Sequence, residues 1–261
     1  FWLALVFFLP FELPIIAVPV PGVELRLYQW LAAILSLVTF LLLLQGKKHI
    51  PRIRWFDGAL VVLFFATVAS VLVNHLGAVG YRQLIIFLSF GMIYALGRIF
   101  VVRPKHFWQT VQVFLVSSVV VAGYGLYQAI AFEKNWVTQM VMPGRPNSVF
   151  PEADWLGFFL AFALLTALSR AVFVRSRLQQ VLLFCLSTLL TTTLIITVSR
   201  SAWLGFLCGG LTLAVSIFLL RRSAFLRWGI FVAATWVLSF LLVTGLHLTR
   251  FQLDERFQST G

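Results

Sequence analysis

Two short stretches carry arginines where arginine is costly. The first is Ser199-Arg200-Ser201: from Leu178 to Leu220, Arg200 is the only charged residue. A straight helix of that length would run roughly 60 Å, about twice a bilayer's hydrocarbon core, so the stretch is expected to form two spans that reverse near Arg200. A guanidinium at a tight turn between apolar helices needs a reason to be there. Either it holds an anionic group such as a lipid diphosphate, or it snorkels to headgroups at a helix end. The second stretch is Pro143-Gly144-Arg145-Pro146-Asn147-Ser148, whose prolines and glycine resist helix and favour defined turns. It runs into Phe150 and the acidic Glu152-Ala153-Asp154, where either acid suits the N-terminus of the helix that follows. Just upstream, Trp136, Val137, Met140 and Val141 recur at helical spacing, as in a short helix lying on a membrane surface.

Arginine forks match phosphate oxygens and stay charged at every physiological pH. Two or three of them from separate loops could hold a diphosphate and stabilise its charge as it leaves. A third candidate is Arg82, at the start of the fourth span after a short Gly77–Gly80 turn, where interfacial snorkelling also accounts for it. A transfer from such a donor also needs a base to activate an acceptor hydroxyl. His75 and His247 are candidates, and both also read as interfacial helix-end residues. No His, Cys or carboxylate cluster has metal-ligand spacing, and no Gly-rich nucleotide loop is present. Neither a metal, a cofactor nor a soluble nucleotide sugar is implied.

The elements that must position these residues are membrane spans. The chain has 261 residues, is 61% hydrophobic and only 11% charged, and so reads as an all-α, polytopic transmembrane helix bundle forming one domain. Strand patterns of a β-barrel are absent. About nine spans are expected, near Phe1–Val20, Tyr28–Leu44, Asp57–Val73, Gln83–Leu96, Phe107–Phe132, Trp155–Leu168, the pair flanking Arg200, and Trp228–His247. The first is irregular, with Pro10, Pro14, Pro19 and an embedded Glu12, and is expected to kink or end early. Gly205 and Gly209 form a small-xxx-small face for close helix packing. Cys185 and Cys208 lie in spans and read as packing residues, not a disulfide.

Thirteen of the 20 lysines and arginines fall in the loops after the second, fourth, sixth and eighth spans. The other side holds Arg26, Arg82, Lys134, Arg145, Arg200, Arg250 and Arg256, and of the eight acids only Asp57 falls on the first side. Excess positive charge marks the cytoplasmic side, so the N-terminus is expected inside and the C-terminal end outside. This accounts for most of the net charge of +12 without nucleic acid. Phe1 is not a start methionine and the chain stops in a polar segment at Gly261, so it reads as a fragment.

Taken together, these residues resemble a known family. Arg145-Pro-Asn-Ser-Val-Phe150-Pro-Glu-Ala-Asp-Trp-Leu-Gly157 is similar to a motif of the O-antigen ligase and polymerase superfamily. In that motif an arginine precedes a turn and a Gly-containing apolar helix. Thr197-Val-Ser-Arg200-Ser-Ala-Trp-Leu-Gly205 resembles its second hallmark, a Ser-Arg turn between spans, and Gly125-Leu-Tyr-Gln128 is similar too. Ala153-Asp154 stands where the family has Pro-Asn. The resemblance implies a GT-C-like, inverting, metal-independent glycosyltransferase of the bacterial cytoplasmic (inner) membrane. Its donor would be a glycan on undecaprenyl diphosphate, and its acceptor a lipid or glycan at the periplasmic face. Arg145 and Arg200 match the arginines thought to hold the diphosphate, Arg82 matches more loosely, and Glu152, Asp154, Gln128 and Ser199 would support them. The family's catalytic histidine would lie beyond Gly261, so residues 1–261 alone are expected to be inactive.

Two other classes remain open. One is a transporter of a small anion such as bicarbonate, but apart from Glu12 no acid, base or histidine lies deep in a span, as ion coupling usually requires. The other is a non-catalytic membrane assembly protein, which leaves the arginines opposite the basic loops unexplained.

Overall fold

The structure is a computed structural model that describes residues 1–11, 14–17, 24–46, 54–74, 77–134, 136, 140 and 144–248. Among the described residues it has nine helices, eight of them long and apolar enough to cross a membrane. The chain is therefore a multi-pass helical membrane protein. It divides into two compact units, Phe1–Val113 and Phe114–Gly261.

The first unit begins with α1 (Trp2–Phe8), followed by β1 (Pro14–Ala17), β2 (Glu24–Arg26), α2 (Leu27–Leu44), α3 (Trp55–Val73) and α4 (Gly77–Phe100). The expected first span ends early, as its prolines imply, and its helix is too short to cross a membrane. The helix has seven residues and stops two short of Pro10, whose ring takes no part in a backbone ladder. An irregular antiparallel pairing of β1 with β2 follows, with Pro14 opposite Arg26 and Ala17 opposite Glu24. Leu5 of α1 is buried with Tyr28, Ala32, Leu35 and Leu96. Trp2 stacks on Phe100, ring centroids 6.2 Å apart, and its indole N–H donates to Thr110 Oγ1 at 3.0 Å. Gly77–Gly80, expected as a turn, is instead the first turn of α4, which places Arg82 on that helix. Asp57, the acid isolated among basic loops, lies in the first turn of α3. It accepts from the Arg54 backbone N–H at 2.6 Å, from the Tyr94 hydroxyl at 2.9 Å and from the Arg98 guanidinium, which ties α3 to α4.

The second unit holds most of α5 (Pro104–Glu133), with α6 (Ala153–Ala171), α7 (Arg177–Thr197), α8 (Arg200–Leu220) and α9 (Arg222–Gly245). The reversal falls where the charge pattern places it: α7 ends at Thr197 and α8 starts at Arg200. Helix α7 is the most enclosed, and it is rich in hydroxyls because small polar side chains let helices approach and bond across. Thr193 Oγ1 donates to the Ala122 carbonyl of α5 at 3.2 Å, and Ser239 of α9 donates to the Thr188 carbonyl at 3.1 Å. Cys185 and Cys208 are unbonded as expected, but both are exposed, so neither is a packing residue.

Glycines set the closest approaches. A Cβ at Gly157 would lie 2.8 Å from Ser199 Cβ and 2.9 Å from Ala202 Cβ, so α6 touches the α7–α8 turn through its bare backbone. Of the expected glycine pair on α8, only Gly209 meets a neighbour, Leu165; Gly205 faces open space. Gly157→Ala should therefore lower stability by ~1–3 kcal/mol through overpacking against atoms fixed to backbone. Gly205→Ala should raise it by ~0.5–1 kcal/mol, the usual gain in a helix interior. Thermal unfolding of both variants in detergent should give shifts of opposite sign.

Candidate functional site

The loop 144–150 does not lie on the surface of its unit. Gly144, Pro146, Asn147, Ser148 and Phe150 are buried. The Ser148 hydroxyl donates to the Val121 carbonyl at 2.7 Å. Val121 is twelve residues before the end of α5, roughly 18 Å along its axis. Non-helical backbone at that depth in a membrane bundle must find its partners in protein, and here it does. The Ser148 backbone N–H donates to Gln128 Oε1 at 2.7 Å. Asn147 Nδ2 donates to the Phe150 carbonyl at 2.6 Å, and the Phe150 N–H returns to the Asn147 carbonyl at 2.9 Å. Gly144 and Ser148 take positive φ, 71° and 53°, to make the turn. Gly125 leaves room for it, since a Cβ there would press on Thr193, Leu156 and Ser148.

This burial fixes Arg145. Its Nε donates to the Thr197 carbonyl at 2.9 Å and its Nη2 to Asp154 Oδ1 at 2.8 Å. The electrostatics on both sides are favourable. Thr197 is the last residue of α7, where carbonyls are unpaired and the helix dipole is negative. Asp154 lies in the first turn of α6, where the dipole is positive. The guanidinium thus joins the end of one helix to the start of another. The capping role open to the acids is not the one observed: Glu152 is the N-cap of α6 but makes no side-chain cap bond, and Asp154 spends its carboxylate on Arg145.

Three residues beyond the carbonyl that Arg145 holds stands Arg200. It is exposed, the first residue of α8, and its guanidinium makes no hydrogen bond or ion pair among the described residues. Between them, Val198 has φ 51°, a left-handed conformation that a β-branched side chain strongly disfavours. Ser199 is fully buried and caps α8 by accepting from the Ala202 N–H at 3.4 Å. Ser201 Oγ lies 3.4 Å from Ser199 Oγ.

The structure therefore brings Arg145, Asp154, Ser199 and Arg200 to one turn, with Gln128 holding the loop from behind. Arg82 belongs to the other unit, where it is exposed on α4. It acts there as a like charge on Arg26, whose guanidinium is held below its ordinary pKa first by partial burial, with Tyr28 opposing and Arg82 adding to the effect. His247 is exposed, two residues past the end of α9, with φ 55°, and the chain turns there so that Leu248 packs against Ala129 and Ile196. His75, Glu12, Arg250 and Arg256 lie outside the described residues, as does most of the helix expected around Trp136–Val141. Among the described residues no cluster of His, Cys, Asp or Glu could hold a metal ion. The Thr197 carbonyl and the left-handed Val198 were not anticipated. The available signal was a buried Ser199 cap following directly on an apolar helix without an intervening glycine.

Gln128 is 1% exposed and supplies the acceptor for a buried N–H. Gln128→Leu should cost ~1–3 kcal/mol by stranding that donor. Gln128→Glu, which keeps an acceptor oxygen, should cost less at a pH where it is protonated, and denaturation in detergent would rank the two.

No family model, no curated protein and no solved structure matches this chain.

Proposed function

We propose that this chain is the membrane core of a glycosyltransferase of the O-antigen ligase and polymerase type. It would move a glycan from undecaprenyl diphosphate to a lipid or glycan acceptor at the periplasmic face of a bacterial cytoplasmic membrane. One observation supports the reading above the others: the Arg145 guanidinium, carried on a buried loop, bonds the carbonyl three residues before Arg200. Two arginines distant in sequence thus serve one turn at one end of a helix bundle. The excess of Lys and Arg in the alternate loops puts that end on the periplasmic side in this reading.

There the diphosphate of a lipid-linked donor would sit at headgroup level while its polyprenyl tail stays among apolar helices. The acceptor hydroxyl would attack the anomeric carbon as the bond from that carbon to the diphosphate oxygen breaks. The diphosphate would leave with the bonding electrons, its charge stabilised by guanidinium. The hydroxyl proton would pass to a base.

Arg200→Ala should lower transfer by about a hundredfold or more with normal membrane insertion. Arg200→Lys should recover only part of the activity, because the ammonium is a point charge without a fork. Transfer at the wild-type rate in Arg200→Ala would overturn the proposal.

A further inference from the structure

We infer that Arg145 and Asp154 are a positioning pair, and that contact with the anion belongs to Arg200. The inference rests on the diphosphate reading above and divides the labour within it.

The guanidinium of Arg145 has two of its nitrogens committed to protein acceptors on different helices, the Thr197 carbonyl and the Asp154 carboxylate. Its side chain is 25% exposed, and that of Asp154 is 46% exposed. Reaching for a phosphate would break the bridge from the Thr197 carbonyl to the Asp154 carboxylate. A phosphate at Arg145 would also stand beside the Asp154 carboxylate, like charge against like. Arg200 has neither constraint: it is exposed, and its guanidinium makes no hydrogen bond or ion pair among the described residues.

What Arg145 holds is the peptide that leads into Val198. A β-branched residue in the left-handed region persists only where its surroundings over-determine it. Here the surroundings are the Arg145 bond on the preceding carbonyl, the buried Ser199 cap on the following residue, and the bare backbone of Gly157 pressed against Ser199. Releasing the first lets the turn relax to an ordinary conformation, and Arg200, two residues on, is re-aimed. Asp154 acts through Arg145, and Arg145 through the turn.

The two roles give opposite signs for one substitution. If Arg145 is a direct ligand, Asp154 is its competitor, and Asp154→Asn should leave anion binding unchanged or tighten it. If the pair positions Arg200, Asp154→Asn should weaken binding. The measurement is the affinity of the purified protein in detergent for farnesyl diphosphate, taken well below each variant's melting temperature. We expect Arg200→Gln to lose about a hundredfold with an unchanged melting temperature. Asp154→Asn and Arg145→Gln should each lose about tenfold, and the double variant no more than either alone. Asp154→Glu keeps the charge but misplaces the carboxylate; it should also weaken binding, and it decides the matter if Asp154→Asn does not fold. Binding as tight as wild type or tighter in the Asp154 variants overturns the positioning role and leaves the diphosphate reading standing. A wild-type protein that does not bind farnesyl diphosphate, or an Arg200→Gln variant that binds it equally well, overturns both.

Discussion

A guanidinium placed between the carbonyl end of one apolar helix and the first turn of another solves two problems of a membrane bundle at once. Helix α7 ends with carbonyls that no further helical turn can pair, and residues 144–152 before α6 run as irregular backbone beside buried helices. Neither is tolerable in a low-dielectric setting without partners. The Arg145 bonds to Thr197 and Asp154 answer the first, and the Ser148 bonds to Gln128 and Val121 answer the second. Much else follows from these. The loop can be buried, α6 can start against the α7–α8 turn, and that turn can be held in a conformation its own sequence resists.

The two units differ in kind. In the second, the helices enclose a polar interior in which serine and threonine hydroxyls bond across helices. In the first, α3 presents almost all of its surface outward, and its polar link to α4 is the cluster of Asp57, Tyr94 and Arg98. The arginines proposed to handle an anion through the α7–α8 turn belong to the enclosed unit. This suits a site that must hold its geometry, because packed helices position side chains more tightly than exposed ones.

Hydropathy exposed eight of the nine expected spans, because a bilayer core dictates length and composition together. The loss of charge from Leu178 to Leu220 located the α7–α8 reversal to within two residues. The first span was counted on apolar content, while its prolines already implied the early end that α1 shows before Pro10. Arg145 was visible as a residue out of place, but its partners were not. A main-chain carbonyl has no signature in side-chain pattern, and a Pro/Gly-rich segment reads the same whether it lies on the surface or is folded inward. Gly205 and Gly209 show the same limit: the spacing is right for a packing face, yet only one of the two meets a neighbour. Periodicity says which residues share a face, and not which face another helix will choose.

The bare contact between Gly157 and Ser199 with Ala202 has a consequence for how this protein can change over generations. Added volume at position 157 can be absorbed only by removing it from the opposite side, and both routes are narrow. Ser199 cannot shrink without surrendering the hydroxyl that starts α8, and Ala202 has only a methyl to give. The three positions form an epistatic set through which single steps are closed, so homologous chains should keep or lose the arrangement as a block.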